Sequence, residues 1–316
     1  MDIRAVERFL AVAESSSFNK AAQRLNISQP ALARSIDGLE YGLGVPLFDR
    51  TPRGVTLTSY GKLAYDHARR MSSEARRLRR EIEAVRNLEY GELTVGVPLG
   101  QTSGVLAAAA LTLLSEGRRI KVNLVSGTRT GLLRLLLLGD LDFLFSALYA
   151  ADDIPAGILQ QPFYADRIVI VVRRGHPAAR RRQPKLEDLR RRPWILLGLG
   201  REFEPSIRAM MGAEFDQSVL RSGSPIFVRN ILAGSDFVGL THRDAVSSEL
   251  QSGELVELDA VGGPSVRDIF SQQEIGAIQR ADVAPTRVAL EFLTIMGDVM
   301  RRGEARPHSG SPKNKR

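Results

Sequence analysis

The sequence predicts three successive parts: a small, mainly helical N-terminal domain that ends in a β-hairpin, one long helix, and a larger α/β domain of two subdomains. Short helical patterns separated by turn residues fill the first forty-odd residues, a heptad pattern follows the hairpin, and alternating strand-like and helix-like runs begin at Glu92. The predicted boundaries are 1–58, 59–89 and 91–302, with subdomain I at 91–161 and 266–302, subdomain II at 162–265, and a disordered basic tail at 303–316.

Three helices are predicted at the N-terminus. Residues 2–14 have apolar side chains at helical spacing, and Phe18–Leu25 forms a short second helix after two serines suited to capping. The third helix, Gln29–Glu40, begins after Ser28 and carries Pro30 in its first turn, where the missing N–H costs little. Two helices joined by a short turn, the second with one exposed polar face, are typical of a helix-turn-helix.

A β-hairpin is predicted next. Leu47–Arg50 and Val55–Thr58 resemble short strands, and Thr51-Pro52-Arg53-Gly54 between them suits a tight turn with a positively charged tip. A hairpin after a helix-turn-helix would be a wing, so the first domain is predicted to be a winged helix-turn-helix.

One long helix is predicted from Thr58 to about Leu88. Its small and apolar residues recur at alternating intervals of four and three for three heptads, which is the core pattern of a coiled coil. A lone helix with so narrow an apolar stripe needs a partner, so we expect a dimerisation helix. The positions of this seam are Ala64, Ala68, Met71, Ala75, Leu78, Ile82 and Val85.

Strand and helix patterns alternate through the C-terminal region and predict α/β units on a mainly parallel sheet. The predicted strands are Leu93–Val97, Lys121–Val125, Asp142–Ala147 and Ile168–Val172. The predicted helices are Gly104–Glu116, Thr130–Leu138, Glu204–Met211, Ser224–Ala233, Asp244–Glu249 and Ala284–Arg302.

Composition excludes several classes of protein. The 316-residue chain has no cysteine, so it has no disulfide and no cysteine-ligated metal site. No signal-peptide pattern and no apolar run long enough to cross a bilayer is present, which predicts a cytoplasmic protein without membrane contact. We expect no metal and no cofactor, since Gly96-x-x-x-Gly100-x-x-x-Gly104 lacks dinucleotide-binding spacing.

The positive charge of the chain is poor evidence for DNA binding. The net charge is +8, but residues 1–57 carry seven basic and six acidic side chains. The excess lies at 173–192, with nine basic and two acidic residues, and at 301–316, with six and one. The clusters Arg180–Arg182 and Arg190–Arg192 suit solvated loops, with assembly or nonspecific DNA contact as the alternative.

The N-terminal motifs closely resemble the LysR-type transcriptional regulators. They are Phe9-x-x-Val12-Ala13-Glu14, Ser17-Phe18-x-x-Ala21-Ala22-x-x-Leu25, Ser28-Gln29-Pro30-Ala31, Leu39-Glu40-x-x-Leu43-Gly44-x-x-Leu47-Phe48-x-Arg50 and Leu57-Thr58-x-x-Gly61. Further matches are Leu135-x-x-Gly139-Asp140-Leu141-Asp142, Pro162-Phe163, Gly175-His176-Pro177 and Gly253-Glu254-Leu255-Val256. The sequence departs from the family pattern at Ala33, where serine is common, and at Ile231–Thr241.

The resemblance implies a DNA-binding regulator with a periplasmic-binding-protein-like effector domain. It implies homodimers or tetramers, two dimers on two sites of double-stranded DNA, and a small metabolite in the C-terminal cleft that changes their arrangement. RNA polymerase is a candidate additional partner.

The first turn of the third helix would enter the major groove. Gln29 can bond adenine, Arg34 guanine or a phosphate, and Ser28 a phosphate while it caps the helix. Arg53 at the wing tip could enter the minor groove. For Arg50, a phosphate contact and an internal ion pair are equally consistent with the sequence. The candidate DNA-binding residues are Ser28, Gln29, Pro30, Ala31, Arg34, Arg50 and Arg53.

The effector would lie at the ends of the strands in the α/β domain. Thr102 and Ser103 begin a helix whose free N–H groups attract an anion, although plain capping explains them equally well. We therefore expect a small anionic effector and the following candidate residues: Gln101, Thr102, Ser103, Thr128, Arg201 and Phe203. For Arg201 and Phe203 the sequence favours a surface role over contact with the effector.

Two other functions remain as alternatives at the level of sequence. A constitutive DNA-binding protein without an effector would not need so large an α/β region. An enzyme would need a catalytic constellation, and the chain has neither Gly-x-Ser-x-Gly, His-Glu-x-x-His nor a Walker loop, while its four histidines lack partners at motif spacing. The sequence therefore favours a ligand-responsive regulator.

Overall fold

A computed structural model of the chain describes residues 2–51, 54–86, 90–100, 104–115, 117, 119–181, 183–200, 203–212, 219–261, 263, 266–270 and 272–302. The predicted disordered tail at 303–316 lies outside the described residues. The chain divides into two compact units, residues 1–92 with 134–141, and residues 93–133 with 142–316. Within the described ranges, no helix combines the length and the apolar character needed to cross a membrane.

The first unit contains three short helices, a hairpin and a long helix. They are α1 (Ile3–Ser15), α2 (Phe18–Arg24), α3 (Gln29–Leu43), β1 (Phe48–Thr51), β2 (Gly54–Leu57) and α4 (Ser59–Arg86). Asp2, Ser17 and Ser28 cap the first three helices through their side chains, as the local sequence favours. The helix α3 runs past the predicted end at Glu40 and includes Gly42, because the left-handed conformation that ends a helix is at Gly44, with φ of 71°.

The apolar faces of these elements form one core. Phe9 packs on Phe48 with ring centroids 5.3 Å apart, and Leu32 and Ile36 of α3 are fully buried beside them. Ala68 joins this core from α4. The first turns of the long helix are therefore part of the N-terminal domain.

The motif Leu57-Thr58-x-x-Gly61 closes the hairpin onto α4. The Thr58 hydroxyl donates to the carbonyl of Pro46 at 2.8 Å and accepts from the N–H of Gly61 at 2.9 Å. A Cβ atom on Gly61 would lie 2.0 Å from the carbonyl oxygen of Leu47, so only glycine fits there.

The segment 134–141 contacts α4 within the first unit through charged and polar side chains. Arg134 pairs with Asp66 at 3.0 Å, and Asp140 pairs with Arg69 and, at 2.8 Å, with Arg76. Arg69 also pairs with Glu14 of α1 at 2.8 Å. One arginine of α4 thus contacts both an N-terminal helix and this segment.

The remaining strands are β3 (Tyr90–Pro98), β4 (Arg119–Gly127), β5 (Phe143–Ala147), β6 (Ile158–Asp166), β7 (Ile168–Arg173), β8 (Trp194–Leu197), β9 (Val219–Ser222), β10 (Val238–His242), β11 (Leu255–Leu258) and β12 (Gln273–Arg280). The remaining helices are α5 (Gly104–Ser115), α6 (Arg129–Leu137), α7 (Leu186–Arg190), α8 (Glu204–Met211), α9 (Pro225–Gly234), α10 (Ser247–Ser252), α11 (Val266–Ile269) and α12 (Arg287–Arg302).

Two five-stranded sheets divide the second unit into two subdomains. Their strand orders are β4-β3-β5-β12-β6 and β11-β7-β10-β8-β9. The prediction of a mainly parallel sheet is wrong, since β12 runs antiparallel to both β5 and β6, and β7 runs antiparallel to both β10 and β11. The chain leaves the first sheet along β6 and returns along β12, which adds antiparallel strands to parallel α/β units.

The chain passes from one subdomain to the other, in both directions, a few residues later than predicted. β6 stays paired with β12 as far as Asp166, and Phe270 packs in the core of the second subdomain. Gly276 of β12 lies at an irregularity in this pairing, where a Cβ atom would come within 2.1 Å of the Gln161 carbonyl oxygen.

Candidate DNA-binding surface and ligand cavity

The N-terminal end of α3 presents the predicted DNA-contacting residues to solvent. Ser28, Gln29, Pro30 and Arg34 are exposed, and Ala31 is half-buried. The Ser28 hydroxyl accepts from the N–H of Ala31 at 3.4 Å, so its capping role is present. Within the described part of the chain, no acidic side chain pairs with Arg34. An exposed guanidinium beside a helix N-terminus is suited to a phosphate or a guanine edge.

The two remaining candidates of this surface, Arg50 and Arg53, differ from Arg34. Arg50 pairs with Asp37 of α3 at 2.5 Å, and its guanidinium lies 4.8 Å from the centroid of the Phe18 ring. This geometry favours the internal ion pair over the phosphate contact. Arg53 at the tip of the hairpin lies outside the described residues.

Neither departure from the family pattern disturbs the fold. Ala33 is half-buried against the N-terminal core, facing away from the exposed side of α3. The stretch Ile231–Thr241 forms the end of α9 and most of β10, a fully buried strand paired with β7 and β8.

The predicted seam on α4 divides into two parts. Ala64 and Ala68 pack within the N-terminal core, and Ala75 is half-buried. Leu78 and Ile82 are 58% and 50% exposed, and Met71 is also exposed. The side chain of Val85 lies outside the described residues. The later part of the seam is therefore an apolar stripe in contact with solvent.

A polar cavity of about 280 Å³ lies in the second unit, between its two subdomains. Its lining residues come from both subdomains: Pro98, Arg129, Ser146, Ala147, Gly198, Phe203, Ser206, His242, Ile269, Phe270 and Gln273. Phe203, a predicted effector residue, is among them and packs edge-on against His242 with ring centroids 6.1 Å apart. The candidates Gln101, Thr102, Ser103 and Arg201 lie outside the described residues.

Thr128 lines a second, adjoining cavity of about 590 Å³. Its hydroxyl accepts from the N–H of Gly131 at 3.2 Å, so Thr128 caps α6 as well. Pro98, Arg129 and Gly198 line both cavities. Thr128 and Phe203 are thus placed by the fold on neighbouring parts of one cleft.

Arg129 is a cationic group that lines both cavities of the cleft, and the sequence did not single it out. Its guanidinium donates to the carbonyl of Ala147 at 2.8 Å and lies 3.9 Å from the centroid of the Tyr149 ring. Its Nε atom is buried and has no hydrogen-bond partner among the described residues. A fixed guanidinium with an unused donor suits a carboxylate or another anion.

Besides Ser206 of α8, three further polar residues of the cavity were also missed, all of them on strands. Ser146 and His242 are buried, and the Oε1 atom of Gln273 is buried without a hydrogen-bond partner in the described part of the protein. These residues come from β5, β10 and β12, so no sequence spacing joins them. The one available signal was the position of Arg129 next to Thr128, after a predicted strand.

The two subdomains touch through glycine backbones at the edge of the cleft. A Cβ atom on Gly100 would lie 2.5 Å from Gly198 Cα, and one on Gly198 would lie 2.9 Å from the Leu99 carbonyl oxygen. Both glycines have positive φ, 80° and 68°. Side chains at either position would hold the two subdomains apart.

Three of the five described arginines in the basic clusters beyond the cleft pair with acidic side chains, among them Arg192 with Asp236 at 3.9 Å. Arg181 pairs with Asp188 at 2.5 Å, Arg191 with Glu187 at 3.2 Å, and the Nε atom of Arg190 donates to the Met210 carbonyl at 2.9 Å. Arg182 lies outside the described residues. These contacts support the interpretation of the clusters as solvated structural loops.

Comparison with known proteins connects both units to one family. A family model described as "LysR substrate binding domain" matches residues 86–301, and one described as "Bacterial regulatory helix-turn-helix protein, lysR family" matches residues 3–62. A similar protein, the "SDS degradation transcriptional activation protein" of Pseudomonas sp. (strain ATCC 19151), is 31% identical over 94% of this chain and 96% of its own length.

Two solved structures share the fold. A full-length OxyR variant from Pseudomonas aeruginosa has a TM-score of 0.64 and 21% identity, covering 99% of both chains. Full-length CbnR complexed with its target DNA has a TM-score of 0.64 and 23% identity, covering 96% of this chain and 99% of the other. The relatives are regulators, in agreement with the expectation that this chain is not an enzyme. The chain belongs to the LysR family of transcriptional regulators, DNA-binding proteins with a C-terminal effector-binding domain.

Proposed function

We propose that this regulator contacts its operator through Ser28, Gln29 and Arg34 of α3 and responds to a small anion bound in the cleft beside Arg129. It acts as a homodimer or a tetramer in the cytoplasm, with α4 holding the DNA-binding domains in pairs. The observation that carries the DNA-binding part is the contrast between two arginines. Arg50 is held by Asp37 at 2.5 Å, whereas Arg34 is exposed and has no acidic partner in the described part of the chain.

The anionic character of the effector is supported by the cavity itself. Arg129 is fixed in place by Ala147 and Tyr149, so little side-chain entropy is lost when an anion binds to it. Phe203, Ile269 and Phe270 supply apolar walls on the same cavity. A small carboxylic acid with an apolar body matches this lining.

DNase I footprinting on the DNA upstream of the gene that encodes this protein tests the DNA-binding surface. We expect the wild type to protect spaced sites and Arg34→Ala to lose that protection while remaining folded. The matched control is Arg79→Ala, which removes an exposed arginine from α4 instead. Equal protection by the wild type and Arg34→Ala would show that α3 is not the recognition helix as assigned.

A further inference from the structure

A buried polar cluster lies behind the effector cavity. His242, which lines the cavity, has its Nδ1 atom 3.2 Å from Oδ2 of Asp166. The other oxygen of Asp166 accepts from the backbone N–H of Asp244 at 3.3 Å. The Asp244 carboxylate accepts from the Tyr164 hydroxyl at 2.8 Å. His242, Asp166 and Asp244 are each less than a tenth exposed.

The residues around this cluster include more carboxylates than guanidinium groups. Arg243 follows His242 and pairs with Glu257 of β11 at 3.2 Å, and Arg167 follows Asp166 and pairs with the same carboxylate at 2.9 Å. Two guanidiniums therefore face three carboxylates, those of Asp166, Asp244 and Glu257. On the cavity side, β12 contributes the neutral Gln273, and α6 contributes the cation Arg129.

Several polar atoms between the cluster and the cavity lack partners. Nε of Arg129 and Oε1 of Gln273 are buried and make no hydrogen bond within the described protein, and Nδ1 of His242 has only its close contact with Asp166. A buried polar group without a partner destabilises the protein, because it has lost its hydrogen bonds to water. Two such atoms on residues that line one cavity point to a polar ligand that completes them.

We propose that the cavity binds its anion together with a proton, which the cluster of His242, Asp166 and Asp244 holds. This inference rests on the proposed effector site. A carboxylate bound to Arg129 adds negative charge to a cavity that already has the buried carboxylates of Asp166 and Asp244 behind His242. Proton uptake restores the balance, because uncompensated charge is costly in a site shielded from water.

The cluster can take up this proton near neutral pH. Burial raises the pKa of Asp244 to about 6, the neighbouring Asp166 carboxylate adds to the rise, and the hydrogen bond from Tyr164 opposes it. An additional negative charge in the cavity raises the pKa of Asp244 further. The affinity for the anion is then greater at lower pH, by up to about tenfold per pH unit for a single proton.

Isothermal titration calorimetry of the full-length protein measures the number of protons taken up on anion binding and the affinity for the anion at each pH. The probes are acetate, hexanoate, cyclohexanecarboxylate and phenylacetate, with cyclohexanecarboxamide as the neutral analogue. Titrations at pH 7 in PIPES and in Tris, which differ in ionisation enthalpy, give the number of protons taken up. Titrations from pH 6.5 to 8 give the dependence of Kd on pH.

The variants are Arg129→Gln, Asp244→Asn and His242→Gln, with Asp259→Asn as the matched control on an exposed carboxylate. We expect carboxylate binding that Arg129→Gln abolishes, with proton uptake in the wild type and in Asp259→Asn. Asp244→Asn or His242→Gln should remove the uptake and flatten the pH dependence to less than twofold. Circular dichroism and operator footprinting confirm that each variant is folded.

Different results overturn different statements. Arg129-dependent binding without proton uptake, or uptake that persists in both cluster variants, would overturn this inference and leave the effector site standing. Failure of every carboxylate to bind, or binding that survives Arg129→Gln, would overturn the proposed effector site and the inference with it.

Discussion

Gly61 lies against the carbonyl oxygen of Leu47, with no room for a side chain. We expect Gly61→Ala to lower the free energy of unfolding of the N-terminal unit by about 2 kcal/mol or more, because a backbone carbonyl in a paired hairpin cannot move aside cheaply. Urea unfolding followed by circular dichroism measures the change.

The matched control for this substitution is Gly42→Ala. Gly42 is helical, and a Cβ atom there meets nothing within 4 Å. Its replacement by alanine should leave stability unchanged or raise it by up to about 1 kcal/mol. Equal stability of the two variants would contradict the steric explanation of the motif.

Asp244 makes the stability of the second unit depend on pH. Burial raises its pKa from 3.8 to about 6 in the folded protein, so the folded state binds this proton more tightly than the unfolded state. The contribution to stability is fully present below pH 3.8 and is lost as the pH rises through about 6. The total loss is about 3 kcal/mol.

We therefore expect the stability of Asp244→Asn to increase relative to the wild type as the pH rises from 4 to 7. Urea unfolding at several pH values, monitored by the fluorescence of Trp194 in β8, gives the difference. Asp259→Asn should show no such trend. A constant difference between Asp244→Asn and the wild type would mean that Asp244 ionises normally.

The effector residues show why single residues were hard to assign from sequence. Thr128 was found because it follows a predicted strand, and Phe203 because it could reach the cleft from the second subdomain. Arg129, Ser146, His242 and Gln273 belong to four separate elements, and only the folded chain brings them to one cavity. Arg129, His242 and Gln273 also share a buried polar atom without a hydrogen-bond partner among the described residues, a property that does not exist in a linear sequence.

At the scale of elements, α4 leads to a prediction about assembly. Its exposed apolar residues Met71, Leu78 and Ile82 lie where a partner helix would cover them. We expect Leu78→Glu to shift the protein from dimers or tetramers toward monomers, because the carboxylate would be buried in the seam. Size-exclusion chromatography with light scattering gives the mass.

The control introduces the same side chain one position away. Arg79→Glu lies off the seam on an exposed site and should leave the oligomeric mass unchanged. Because Leu78 is 58% exposed, its replacement should also leave the fold of each chain intact. An unchanged mass for Leu78→Glu would show that assembly does not use this stripe.

Elements with local signals were predicted well, and elements fixed by distant pairing were not. The helices α1 to α3 follow from their caps and apolar spacing, and their starts agree to within a residue with the sequence-based prediction. β6 was missed because its two glutamines and Pro162 are unfavourable in a strand pattern. Pro162 is tolerated because β6 is an edge strand, paired only with β12, opposite the irregularity at Gly276.

At the scale of the whole molecule, positive charge is concentrated away from the predicted recognition helix. Residues 303–316 carry four Lys/Arg and one Glu. We expect removal of this tail to weaken nonspecific DNA binding and to reduce the slope of log K against log salt concentration by at most about 3.6, in accordance with counterion release from four contacts. Fluorescence anisotropy with random duplex DNA over a salt series measures this slope.

Operator preference should survive the truncation, because the base-contacting candidates are on α3. The ratio of operator affinity to random-DNA affinity in the truncated protein should equal or exceed that of the full chain. A loss of operator preference would assign sequence recognition in part to the tail.

The contact of Gly100 with Gly198 has a consequence for genetics. Every glycine codon becomes an alanine codon by a single base change. Even a methyl group at either position would overlap the backbone of the other subdomain and hold the cleft open. Selection for mutants with an altered effector response should therefore recover substitutions at these two codons, while the DNA-binding domain remains wild type. A regulator built in this way can change its dependence on a signal in one mutational step.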